Sequence, residues 1–203
     1  MKKLIFFILC LSIVASLLCI SASAASLQHT VVKGDTMWRI AVKYQVGLSE
    51  IKAANPPIKN PALIYPGDVL NIPGIDSSVT AYEAEVVRLV NEIRVKNGLR
   101  ELKQDWELSR VARYKSEDMM SLGYFSHNSP TYGSPFEMMR SFGISYRSAG
   151  ENIARGYLTP AAVVAAWMNS PGHRANILNS TYTHIGVGYV KTGNHWTQMF
   201  ISK

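Results

Sequence analysis

Residues 185–201 read IGVGYVKTGNHWTQMFI. Ile185, Val187 and Tyr189 alternate with Gly186, Gly188 and Val190, the period of two that belongs to a β-strand. Gly193-Asn194 is a turn signal, after which His195-Trp196-Thr197-Gln198-Met199-Phe200-Ile201 resumes with aromatic and β-branched residues. The stretch predicts a β-hairpin. What precedes it is helical. Over residues 81–97 apolar Val86, Leu89, Val90 and Ile93 recur at i, i+3, i+4 and i+7, and Gly98 stops the run. A second helix is expected over about residues 107–122, with Leu108, Val111, Ala112, Met119 and Leu122 inward and Gly123 after it. Ser134-Pro135 opens a short third helix around Phe136, Met139 and Phe142. Thr159-Pro160 opens a fourth over residues 161–168, a hydroxyl cap followed by proline in the first turn. With one more strand expected near residues 150–153, these helices and the hairpin make an α+β sandwich.

Upstream the texture changes. Thr30-Val31-Val32 is a β-branched run stopped by Lys33-Gly34-Asp35, where Asp35 or Thr36 can cap a helix over residues 37–44. Trp38, Ala41 and Val42 are expected on its packed face. Residues 48–54 form a second short helix, ended by Asn55-Pro56-Pro57. Pro66-Gly67-Asp68 turns into Val69-Leu70-Asn71-Ile72, a second strand able to pair antiparallel with the first. The order is βααβ in about 45 residues, too small a unit to enclose an active site. It fits a binding module with a shallow groove where two loops meet. Residues 75–80 are polar and turn-prone and read as a short linker allowing limited relative motion.

The 203-residue chain begins Met1-Lys2-Lys3, and residues 4–20 carry no charge and end near Ala22-Ser23-Ala24. That sequence of charge, apolar run and small-x-small site reads as a secretory signal peptide over residues 1–25. The apolar run is shorter than the roughly 20 residues that span a bilayer, so no stable membrane span is expected after cleavage. Cys10 and Cys19, the only cysteines, both lie in it. A cleaved chain would hold no thiol nucleophile, thiolate metal site or disulfide. Losing Lys2 and Lys3 takes the formal net charge from +7 to +5. The charge is dispersed: Arg110, Arg113 and Lys115 are followed by Glu117 and Asp118, the pattern of a solvated helix face. No clustered basic stripe marks a nucleic-acid footprint.

Two sets of motifs carry resemblances. Residues 31–41, Asn55-Pro56 and residues 64–73 (IYPGDVLNIP) resemble a LysM domain over the whole of residues 26–74. The resemblance implies binding of N-acetylglucosamine-containing glycan, peptidoglycan or chitin. Its groove would be lined by Gly34, Asp35, Thr36 and Met37, and by Asn60, Pro61, Ala62, Leu63 and Ile64. Backbone amides and a carboxylate suit acetamido and hydroxyl groups, and apolar side chains suit sugar faces. Residues 124–130 (YFSHNSP), 150–154 (GENIA) and 167–178 (WMNSPGHRANIL), with the hairpin above, resemble the CAP superfamily of SCP-like domains over residues 81–203. The resemblance implies an α-β-α sandwich with a cavity lined by His127, Glu137, Glu151 and His173, Glu137 being placed by order and local pattern.

Two imidazoles can ligate Zn²⁺ or another divalent ion, and carboxylates can complete such a set. A glutamate beside bound water can also act as a general base. The helical H-E-x-x-H pairing and the G-x-S-x-G elbow are both absent, so no zincin or α/β-hydrolase is indicated. His29 is expected to be solvated, and His184 and His195 to be packing or surface residues. Together the readings describe an exported cell-wall or spore-surface protein: LysM holds peptidoglycan, and the CAP domain presents its cavity to a ligand or to an envelope or spore-coat protein, in sporulation or envelope assembly. The alternative is a metal-assisted hydrolase of wall polymer or peptide, targeted by LysM.

Overall fold

The computed structural model describes residues 27–203. The signal-peptide reading, with Cys10 and Cys19, lies outside the described residues. Among the described residues no helix is long and apolar enough to cross a membrane.

The first unit is β1 (Leu27–Thr30), α1 (Met37–Tyr44), α2 (Leu48–Ala54) and β2 (Val69–Ile72), with β1 and β2 antiparallel from Leu27↔Ile72 to Thr30↔Val69. The strand starts earlier than the β-branched run suggests, and Val31 continues the pairing by donating to Asp68 O and accepting from Gly67 N. Thr36, not Asp35, caps α1 by accepting from Arg39 N. The buried face of α1 is Met37, Ile40 and Ala41, while Trp38 is 53% exposed and Val42 is exposed too. The expectation that Trp38 and Val42 pack inward is overturned. The core formed by Val31, Ile51, Leu70 and Ile72 receives the face one residue round, and at 3.6 residues per turn that turns Trp38 outward. His29 is buried rather than solvated, held between Tyr44 OH at 3.1 Å and Asp35 Oδ2 at 2.9 Å.

The second unit begins with α3 (Ser77–Lys96), whose N-cap is Asp76, so the helix starts inside the stretch read as linker. There follow β3 (Lys103–Gln104), α4 (Trp106–Leu122), α5 (Pro135–Ser141), β4 (Ser148–Arg155), α6 (Pro160–Asn169), α7 (Pro171–Ile177), β5 (His184–Val190) and β6 (His195–Ser202). The sheet order is β3-β5-β6-β4, with β3 parallel to β5 and the other pairs antiparallel. The expected hairpin forms, in register from His184↔Ile201 to Val190↔His195.

Alternation along β6 divides the core. Trp196 and Phe200 join Val86, Val90, Val163, Trp167 and Ile177 from α3, α6 and α7. Met199 and Ile201 join Leu108, Val111, Ala112, Met138 and Met139 from α4 and α5. The sheet is thus sandwiched between two helical layers, the α-β-α arrangement. Gly186 and Gly188 let α4 lie directly on β5: a Cβ at Gly188 would stand 2.1 Å from Arg113 N and one at Gly186 2.4 Å from Leu108 C. Leu122, expected inward, is exposed: the buried residues of α4 end at Met119.

The basic run on α4 is not a solvated face. Arg113 donates to both oxygens of the buried Glu83 on α3, and Lys115 is 0% exposed. Arg110 reaches the first unit, donating from Nε to Glu50 Oε1 at 2.6 Å and from Nη2 to Oε2 at 3.0 Å and to Ser49 Oγ at 2.9 Å. Tyr114 OH donates to the same Glu50 at 2.8 Å. Burial pushes the Glu50 carboxyl up, but Arg110, Ser49 and Tyr114 outweigh it and hold it below its ordinary value. Tyr114, half-buried against that carboxylate, is pushed up to about 12. The two units are clamped together through α2 and α4.

Candidate functional site

In the first unit both expected groove segments leave the same end of the two-stranded sheet: residues 31–36 follow β1, and residues 55–68 precede β2, where Thr30 pairs Val69. Gly34 takes a φ of +93°, which favours glycine. Its carbonyl accepts from Arg39 Nη1 at 2.8 Å. Gly34, Thr36, Asn60, Ala62 and Leu63 are exposed, and Asp35, Pro61 and Ile64 are half-buried. Met37 is a correction: its side chain is 1% exposed and belongs to the core. Asp35 spends one oxygen on Val32 N and His29, so it fastens its own loop. Tyr65 stands exposed beside Leu63, a groove candidate that the sequence reading passed over.

In the second unit three motif strings converge on an open cavity of about 690 Å³. His127 comes from the loop after α4, Glu151 from β4 and His173 from α7, and all three line it. His127 Nδ1 lies 2.7 Å from Glu151 Oε1, and Glu151 is buried beneath it. Burial pushes the Glu151 carboxyl up, against the lowering effect of the His127 bond and the Lys115 charge. Burial pushes His173 down, and the nearby His127 charge adds to this. Glu151 Oε2 has no hydrogen-bond partner among the described residues. Phe125 and Phe136 stand on the rim, 45% and 42% exposed.

Glu137 does not join them. Its Oε2 accepts from Ser134 N at 2.8 Å and Ser134 Oγ at 2.7 Å, closing a capping box at the start of α5. The S-x-x-E spacing of residues 134–137 signals that role, and the helix terminus claims the carboxylate. Ser134, Pro135 and Phe136 line the cavity in its place.

The residues beneath were quoted in the motifs but given no role. Asn152 Nδ2 donates to His173 O at 3.1 Å and to Gln198 Oε1 at 3.0 Å. Asn176 Nδ2 donates to Glu151 O at 3.1 Å and to Asn152 Oδ1 at 2.9 Å. These amides tie β4, α7 and β6 together. Gly150 leaves room for them: a Cβ there would stand 2.5 Å from Tyr182 OH and 3.0 Å from Asn176 Oδ1.

Of the four residues expected to offer metal donors, three line the cavity: His127, Glu151 and His173. Glu137 is spent at the helix cap, and the bond to Glu151 engages only Nδ1 of the His127 ring. No group of three or more His, Cys, Asp or Glu is arranged to hold a metal among the described residues. What the cavity offers is a buried carboxylate paired to one imidazole, a second imidazole whose burial disfavours its charged form, and two aromatic rims.

Residues 29–73 match the LysM domain profile, and residues 87–201 match the profile of the cysteine-rich secretory protein family, CAP. The Bacillus subtilis (strain 168) protein YkwD is 64% identical over 127 residues, 63% of this chain and 49% of that protein. A probable autolysin of Staphylococcus aureus (strain NCTC 8325 / PS 47), SsaALP, is 40% identical over 81 residues, covering 40% of this chain and 30% of its own. An extracellular SCP-domain protein from Bacillus anthracis str. Ames superimposes with a TM-score of 0.60 at 32% identity, over 68% of this chain and 47% of that one. The chain therefore spans about half the length of YkwD and of that structure. With the sandwich, the convergent motifs and the profile match in agreement, the chain belongs to the cysteine-rich secretory protein (CAP) family and carries a LysM domain ahead of its CAP domain.

Proposed function

We propose that the protein is held on peptidoglycan by N-acetylglucosamine contacts in the LysM loops and uses the CAP cavity to bind a ligand of the cell envelope. The observation that carries this reading is the Arg110–Glu50–Tyr114 clamp, which fixes a glycan-binding module to the domain bearing the His127–Glu151 cavity. One body with two sites suits a protein that displays a cavity at the wall. The exposed Leu63 and Tyr65, on the same loop as Asn60 and Ala62, supply apolar surface for sugar faces. Co-sedimentation of the full chain with insoluble peptidoglycan tests the LysM half, and retention in the supernatant would remove it.

A second reading, hydrolysis of wall polymer or peptide, is favoured by one feature. A buried carboxyl pushed upward, in contact with an imidazole, is the environment of a general acid or base. The similarity to a probable autolysin points the same way. The discriminating assay is release of soluble muropeptides from purified peptidoglycan, with and without added Zn²⁺. Release that is lost in Glu151→Gln establishes the hydrolase; no release under either condition leaves the binder.

A further inference from the structure

Lys115 is a fully buried charge that neither site accounts for. It projects from the middle of α4 and is 0% exposed, a burial rarely seen for lysine unless the ammonium is paired. Its Nζ has three N–H groups, and one of them donates to His127 O at 2.7 Å. The ammonium also lies 5.1 Å from the centre of the Tyr124 ring, three residues before His127. One turn along α4, Asp118 accepts from Tyr124 OH, Ser129 Oγ and Thr131 Oγ1. Lys115 and Asp118 therefore hold the loop of residues 123–133 from both sides of His127. The groups that face Lys115 are Glu151 on β4, Asp118 on its own helix, and His127 and Tyr124 on the loop.

We propose that Lys115 is the positioning residue of the CAP cavity: it fastens His127 through the backbone carbonyl and sets a fixed positive charge behind Glu151, so that the imidazole–carboxylate pair keeps its geometry and its charge when a ligand enters. The role rests on the reading of this cavity as the functional site, yet it can be tested without a ligand. Two observations support it. Glu151 Oε2 is buried with no hydrogen-bond partner among the described residues, and the Lys115 charge favours its ionised form. Burial pushes Lys115 down while Glu151 and Asp118 pull it back, so the ammonium and the carboxylate support each other's charge.

The experiment is an NMR pH titration of the full chain carrying ¹³C-labelled Glu and Lys side chains, with the Glu151 signal assigned by Glu151→Gln. In Lys115→Met the Glu151 midpoint is expected to rise by roughly one unit, the effect of removing an opposite charge at close range. Lys115→Arg is expected to restore most of that shift. Tyr124→Phe cuts a loop bond to Asp118 without changing any charge and is expected to leave the midpoint in place. A folded Lys115→Met with an unmoved midpoint overturns the proposal, and so does an equal shift in Tyr124→Phe. If Lys115→Met does not fold, the wild-type chain decides: the Lys115 ε-carbon signal follows the Glu151 midpoint if the two are coupled and ignores it if they are not. The functional reading fails separately. No binding of soluble muropeptide to a cavity that shows these shifts removes the ligand site and leaves the positioning role intact.

Discussion

Glu83 sits 1% exposed between α3 and β5, bonded by Arg113 from α4 and by Tyr189 N at 3.1 Å. Arg113→Ala would leave that carboxylate buried without its cation, a loss of about 3–5 kcal/mol. Chemical denaturation should show it as a fall in the midpoint with an unchanged slope. Burial already pushes Glu83 up, so the variant is expected to recover part of the loss on acidification, when the carboxyl is protonated. At this scale the sequence is least legible. Arg110, Arg113 and Lys115 look like a wetted stripe because spacing records which residues share a helix face, not what covers that face. Their acceptors Glu50, Glu83 and the His127 carbonyl lie 60, 30 and 12 residues away. Glu137 fails for the opposite reason: its partner is three residues away, and the capping box is a local rule that family order had overridden.

At the scale of elements, β5 and α4 depend on two glycines. Gly188→Ala would drive a Cβ onto the Ala112–Arg113 backbone, with atoms at 2.1–2.5 Å, where no side chain can yield. The expected cost exceeds about 3 kcal/mol, the upper part of the range for overpacking, and would appear as loss of cooperative thermal unfolding or of soluble protein. By contrast, Gly98→Ala meets no atom within 4 Å and carries only the strain of its +72° φ. The hairpin that sets the fold was readable from residues 185–201 because alternation and turn chemistry are local. So were β4 and the caps Thr159 and Ser134. The inward face of α1 was not, since Trp38 and Met37 are both apolar and only the position of the small core chooses between them. α7 was quoted for its motif rather than seen as a helix, because its seven residues are too few to display a period.

At the scale of the molecule, the joint between the modules is the Glu50 cluster. Arg110→Ala removes two charged bonds from a half-buried acceptor and is expected to cost about 1–2 kcal/mol after allowance for solvent screening. Calorimetry should then split the two modules into separate transitions. The pH response has a defined sign. The folded-state Glu50 carboxyl is held below its ordinary value, so the folded chain takes up that proton later than the unfolded one. The clamp's contribution is complete above the ordinary glutamate value of about 4.3 and is lost as pH falls through the lower folded value. Small-angle scattering at neutral pH and at about pH 3 should report the modules separating while each stays folded. The linker reading anticipated restricted motion, but the restriction comes from a side-chain cluster between distant segments as well as from a connector that α3 shortens.

The most direct measurement of the central claim is co-sedimentation with insoluble peptidoglycan, run on the wild-type chain beside Leu63→Asp in the LysM loop and Glu151→Gln in the CAP cavity. Both sites lie where these changes spare the main cores. The account predicts that the wild type and Glu151→Gln pellet together while Leu63→Asp stays largely in solution. It is contradicted if the wild type does not pellet, or if Glu151→Gln loses the polymer and Leu63→Asp keeps it.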